Sequence, residues 1–252
     1  MAATGSAQAG LVSQGFQPLP AGQTVGSPVE FTSIPFVQID GAFDGTEALA
    51  DRSFTADWLL PAALVDGLEI DLEAEALFEI KHFDRNVLRL DMSISNTTIV
   101  DPGIIASILS FGFGAEPDVS ASITDAGAVF DGIGDGSGPQ QTFPGGFKQI
   151  DVCIFAANGC SGGNVKDGLA AGQSDSLSLS LAPLTGDFDG DDGNPHLRLL
   201  AFPIKFQGTF GSFEFVAFPD TPVPMPLPST LALMGLGLLG GGLARRHLRR
   251  QS

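Results

Sequence analysis

Along SDSLSLSLAPL, Leu177, Leu179 and Leu181 alternate with serines, a period of two that puts the leucines on one face of an extended chain and the hydroxyls on the other. The same alternation runs through GLEIDLEAEALFEIKHF, where Leu68, Ile70 and Leu72 oppose Glu69, Asp71 and Glu73. It recurs in NVLRLDMSISNTT, where Leu88, Leu90, Met92 and Ile94 share one side. VEFTSIPFVQI, RSFTADWLL, DVSASITDAGAVF and FKQIDVCIFA read as further strands, the first interrupted by Pro35. HLRLLAFPIKFQGTFGSFEFVAF supplies one or two more, bending at QGTFGS. One segment departs from this pattern. In DPGIIASILSFGF, Ile104, Ile105, Ile108 and Leu109 fall at helical spacing and predict one short helix.

Many short strands separated by Gly, Asp and Pro turn signals predict an all-β fold, an antiparallel, jelly-roll-like β-sandwich in which one side of each sheet is wet. The expected domain covers residues 28–218, after a Gly-, Pro-, Gln- and Ser-rich lead-in over residues 1–27 that is extended or poorly ordered. Ala7-Gln8-Ala9 followed by Gly10 has the form of a small-residue cleavage site, so the lead-in is expected to keep the last part of an export signal. Residues 219–228, within PDTPVPMPLPS, are expected to form a stiff linker, because repeated prolines fix φ and remove backbone donors.

Charge divides the 252 residues unevenly. Four of the 12 basic residues lie in the last eight positions, so residues 1–244 hold all 29 acidic residues against eight bases, a net −21. Such a body repels nucleic acid and anionic lipid, and suits a soluble surface or one that collects cations. Tyrosine is absent and there are 33 glycines.

Candidate chemistry is sparse. Cys153 and Cys160, in DVCIFAANGCSGG, have neither zinc-knuckle spacing nor a nearby histidine. They are either two buried thiols or a disulfide; turn formers around an isolated pair favour the disulfide, worth ~2.5 kcal/mol by chain entropy. Asp187, Asp189 and Asp191 in GDFDGDDGN occupy positions 1, 3 and 5 of a calcium-type loop. Asp192 then replaces the glycine at position 6, and Arg198 the glutamate at position 12, leaving a solvated turn or weak calcium binding as the two readings. No other cofactor is implied. His82 and His196 stand outside any catalytic motif, and the acids of DLEAE read as a wet strand face, so no catalysis is expected. A glycosidase dyad joins distant segments, which keeps a secreted hydrolase as an alternative. NTT at 96–98 fits a glycosylation sequon formally and is more simply a polar strand end.

Sixteen uncharged residues, STLALMGLGLLGGGLA, separate Pro228 from Arg245. As a helix they would rise about 24 Å, short of the ~30 Å hydrocarbon core. Residues 229–252 are therefore expected to form a short hydrophobic helix with an arginine-rich end. Arg245, Arg246, Arg249 and Arg250 would mark its cytoplasmic side, placing the acidic body across the membrane.

A proline motif, a short Leu/Gly-rich span and a terminal arginine cluster together resemble the PEP-CTERM sorting tail of Gram-negative bacteria. Pro226-Leu227-Pro228 stands where that tail has Pro-Glu-Pro, and a V-P-L-P-A-like variant also fits. The resemblance implies an exosortase as the processing partner, tethering through the C-terminal helix before processing, and delivery to the cell surface or an exopolysaccharide-rich matrix. ISNTT, FGFGAEPDV, FPGGFKQIDVCIFAANGCSGG and GLAAGQSDSLSLSL are in addition similar to the cistern subfamily, which implies the Cys153–Cys160 pairing and no particular ligand. A non-enzymatic surface or matrix protein is thus the first expectation, and a carbohydrate- or calcium-binding adhesion module the alternative.

Overall fold

The computed structural model describes residues 11–18, 33–64, 68–134, 141–190 and 193–220. Its strands in chain order begin with β1 (Leu11–Pro18), β2 (Ser33–Asp40), β3 (Ser53–Leu60), β4 (Leu72–Phe83), β5 (Leu88–Asn96) and β6 (Ala106–Glu116). Next come β7 (Val119–Asp125), β8 (Gly132–Gly134), β9 (Gln141–Phe143), β10 (Phe147–Ile150), β11 (Val152–Phe155) and β12 (Leu169–Ala170). The last are β13 (Ser174–Pro183), β14 (His196–Leu200), β15 (Pro203–Gly208), β16 (Gly211–Val216) and β17 (Phe218–Asp220). Among the described residues there is no α-helix, and every strand pairing is antiparallel.

Two sheets form the sandwich. One runs β17-β3-β4-β5-β13-β7; the other has nine strands along β1-β2-β14-β6-β11-β8, with β12, β15 and β16 attached through β6 and β15. Alternation decides which side chains meet between them. Phe54 and Phe78 stack at 4.5 Å within the six-stranded sheet, and Phe78 meets Phe113 of β6 and Phe202 edge-on at 6.4 and 5.9 Å. Each such fully buried ring contributes about 2–3 kcal/mol through the water it sheds. Polar fasteners join the layers as well. The Trp58 indole donates to the Phe202 carbonyl at 2.8 Å, and the buried Asn96 amide donates to Ala106 and Leu169 carbonyls at 3.1 and 2.8 Å. Asn96 ends β5, so the formal sequon is a strand end whose amide is already in use.

A second, smaller core lies beside the first. Phe143 and Phe147 of the β9–β10 hairpin, Ile150, Cys153, Cys160, Leu200 and Val216 form it, with Phe36 and Phe155 at its margin. Cys153 and Cys160 are joined as a disulfide within it.

Four expectations change here. The segment predicted as a helix is strand β6: Ile108 and Leu109 lie inside it, with Ile104 and Ile105 just before it. Residues Ala106 to Ala115 are all buried, so the strand shows no alternation at all. Leu11–Pro18, read as lead-in, forms β1 and pairs along its length with β2. FKQIDVCIFA divides into β10 and β11 at Asp151, whose carboxylate accepts the Ala115 N–H at 2.7 Å. The last hydrophobic segment yields three strands rather than one or two, and reaches the start of β17, because Ala201 and Phe202 take φ of 70° and 40° and break the chain between β14 and β15.

Two buried carboxylates hold loops in opposite electrostatic conditions. Asp175 of β13 accepts the N–H groups of Ala128, Val129 and Phe130 at 2.8–2.9 Å, pinning the loop after β7. Burial raises its carboxyl, but the amides of Phe130, Val129, Ala128 and Ser176 outweigh that and leave it below the ordinary value. For Asp151 burial wins and pushes the carboxyl up to about 6; the Ala115 amide opposes that rise, and the charges of Asp118 and Glu116 add to it.

Candidate ligand face and sorting tail

The outward face of the six-stranded sheet carries the polar half of each alternating strand. Register lines up Glu79 of β4 with Asp91 of β5, Asp91 with Ser178 of β13, and Ser178 with Asp125 of β7. One row across four strands thus presents three carboxylates and a hydroxyl. Opposed carboxylates repel unless something bridges them. Lys81 does so, its ammonium standing 2.7 Å from Glu79 and 3.2 Å from Asp91. Arg52 adds an ion pair to Glu79, and the Ser178 hydroxyl donates to Asp91 at 2.7 Å. Hydrogen bonds from Lys81 and then Arg52 hold the Glu79 carboxyl below the usual range; the bonds to Glu79 and Asp91 hold the Lys81 ammonium above its own.

Beside this row the face is concave. A groove of about 330 Å³ is lined by Leu77, Glu79, Asp91, Ser93, Asp125 and Ser178, among others. Leu77, 37% exposed, gives it an apolar patch, and serines continue the surface toward the Ser95–Ser174 pair at 2.8 Å. The surface therefore offers hydroxyls that donate and accept, fixed carboxylate acceptors and a bridging cation, the groups that hydrogen-bond a polyhydroxyl ligand.

The acidic loop read from sequence is arranged differently. The Asp187 carboxylate accepts the Asp189 N–H at 3.2 Å, and Asp189 pairs with the Arg85 guanidinium at 2.7 Å. Asp191 lies outside the described residues. Among those that are described, no group of three His, Cys, Asp or Glu side chains is placed to hold a metal. Arg198 belongs to β14, where its guanidinium sits 4.6 Å above the Phe36 ring. Both body histidines have partners that sequence did not supply. His82 meets Asp84 at 3.1 Å, and His196 meets Asp40, 156 positions away, at 2.6 Å. The wet face itself was legible as alternation. Its row was not, because its members come from four separate strands.

Pro226, Leu227, Pro228, Arg245, Arg246, Arg249 and Arg250, with the expected helix over 229–252 and residues 1–10, lie outside the described residues. The chain divides into a body ending at Pro222 and a C-terminal unit, Val223–Ser252. Among the described residues no helix is long and apolar enough to cross a membrane. Residues 226–250 match the PEP-CTERM protein-sorting motif. The chain carries a PEP-CTERM sorting tail. All seven proline-motif and arginine positions named above fall inside the match. The PEP-CTERM tail marks an exported protein, tethered to the membrane until an exosortase-type membrane enzyme processes it, and destined for the cell surface. Comparison with curated proteins finds no match to the chain.

Proposed function

We propose that this PEP-CTERM protein is a non-enzymatic component of the cell surface or extracellular matrix of a Gram-negative, biofilm-forming bacterium, associated with exopolysaccharide through the acid- and serine-rich face of its six-stranded sheet. The row Glu79–Asp91–Ser178–Asp125 and its groove carry this reading, because hydroxyls and fixed carboxylates along a shallow groove match the spaced hydroxyls of a sugar chain. The sorting tail supplies the route: tethering in the inner membrane, processing, and release to the surface. Glycan arrays probed with the mature protein, with and without millimolar calcium, test the binding. Retention on polysaccharide without calcium supports a direct hydrogen-bonded contact, and retention only with calcium moves the reading to a calcium-dependent adhesion module. Binding to no glycan in either condition ends the polysaccharide association. Intact-mass measurement of the protein from its native host tests the route separately, since loss of the residues beyond the proline motif is expected.

A glycosidase would need one carboxyl held protonated near neutral pH beside a second that is ionised. Glu79 and Asp91 face each other, yet Lys81 and Arg52 hold Glu79 in its charged form, which favours the non-catalytic reading.

A further inference from the structure

The disulfide belongs to the smaller core, and the larger core contains no cysteine. Cys153 is anchored on β11 between β6 and β8, whereas Cys160 sits in the segment that leaves the sheet after Ala156 and returns at β12. This segment is tied to the body by the disulfide, by the Ser110 hydroxyl donating to the Cys160 carbonyl at 2.9 Å, and by a long contact from Gln207 to Gly163 at 3.5 Å.

Beneath it lies an ion pair whose lysine is buried and whose glutamate is half-buried. Lys205, 5% exposed, pairs with Glu214 and donates to the Ser212 hydroxyl at 2.5 Å. Gly162, at φ 98°, passes so close that a Cβ there would stand 2.7 Å from the lysine Cε. On the other side, Gly145 of the 144–146 turn would place a Cβ 2.8 Å from the Glu214 Cβ. The pair is thus covered by two loops, and the disulfide fastens one of them. An ion pair gains little net free energy from being kept dry, because lost hydration offsets the stronger attraction. Uncovering the pair itself is therefore cheap, and what holds the cover is the disulfide, the Ser110 hydrogen bond and the close approach of Gly162 and Gly168 to Leu109.

We propose that Cys153–Cys160 is a redox latch on a local cover. With the bond formed, residues 157–168 close over the Lys205 side of the pair; with it reduced, they open while the sandwich stays folded. The latch closes when a disulfide-class oxidant accepts two electrons and two protons from the two thiols. It opens when a dithiol supplies them and cyclises to its own disulfide. In an exported chain the cover is set only after the reducing compartment has been left.

The full-length protein in detergent, oxidised or treated with dithiothreitol until two thiols titrate, is exposed briefly to an amine-acylating reagent and mapped by mass spectrometry. Amide hydrogen exchange is followed in parallel. On reduction, acylation of Lys205 should rise about tenfold or more, the scale set by releasing so short a closed loop. Lys81, already exposed on the far sheet, should not change, and the amides of β4, β5 and β13 should keep their protection. Replacing both cysteines by serine should reproduce the reduced pattern without reagent. The proposal is overturned if Lys205 remains protected once both thiols are free, or if it reacts like Lys81 while the disulfide is intact. It is equally overturned if β4, β5 and β13 lose protection together with Lys205, since the bond would then hold the whole sandwich.

Discussion

Asp151 is 4% exposed, accepts the Ala115 amide and has a carboxyl raised from 3.8 to about 6. Because the folded value lies above the unfolded one, the group's contribution is fully present below about pH 3.8 and is lost as pH rises through about 6. A difference of roughly two units, at ~1.36 kcal/mol each, means that the charged carboxylate withholds up to about 3 kcal/mol above neutrality. Asp151→Asn removes the charge and keeps an oxygen to accept the Ala115 N–H. Relative to the unsubstituted protein, the variant should therefore gain about 2 kcal/mol between about pH 4.5 and about pH 8. Urea unfolding at both pH values measures this. Trp58, the single tryptophan and 2% exposed, supplies a fluorescence signal that changes when the core opens. Comparing variant with parent at each pH cancels the other carboxylates. A stability difference that is the same at both pH values would refute the reasoning, since it would mean that Asp151 folds without resisting its charge.

Asp175→Ala removes the acceptor for three loop amides and should cost about 2–4 kcal/mol at neutral pH. Because the Asp175 carboxyl lies below its ordinary value, that loss should shrink as pH falls below about 4, as urea titrations of both proteins will report. Asn96→Ala removes the amide that ties the Ala106 and Leu169 carbonyls to β5, though Ala106 keeps the Ala171 N–H, and should cost about 1–2 kcal/mol by the same assay. Trp58→Phe leaves the Phe202 carbonyl without the indole donor and should lower stability by about 1–3 kcal/mol, read by thermal unfolding in circular dichroism.

What was legible in the sequence follows from which faces each strand buries. β4, β5 and β13 have one wet side, so their alternation appears directly in the residue order. β6 is covered on both sides, by the main core and beneath the disulfide segment, and it pairs with β11, β12, β14 and β15. Polar alternation has no reason to survive there, and Ile104, Ile105, Ile108 and Leu109 then mimic a helical stripe. β1 carries no charge and only modest hydrophobicity, so its place in the sheet depends on β2 rather than on its own pattern. Long-range partners were invisible for the same reason. Asp175 reaches back more than forty positions to its loop, and Asp151 reaches 36 to Ala115. The sorting tail is the opposite case, since its proline motif, apolar run and arginines are contiguous.

The burial of Trp58, in a chain without tyrosine, reaches beyond stability. Sugar rings are gripped most tightly where an aromatic plane lies flat against their C–H faces, and the row of Glu79, Asp91, Ser178 and Asp125 has no such plane. A polymer strand laid along this sheet would be held by exchangeable hydrogen bonds, each readily replaced by water. Retention then depends on numbers: one molecule lets go quickly, whereas many copies along the same strand multiply brief contacts into lasting adhesion. Such a surface would respond to how densely the protein is displayed, so the rate of its release from the membrane would set its grip.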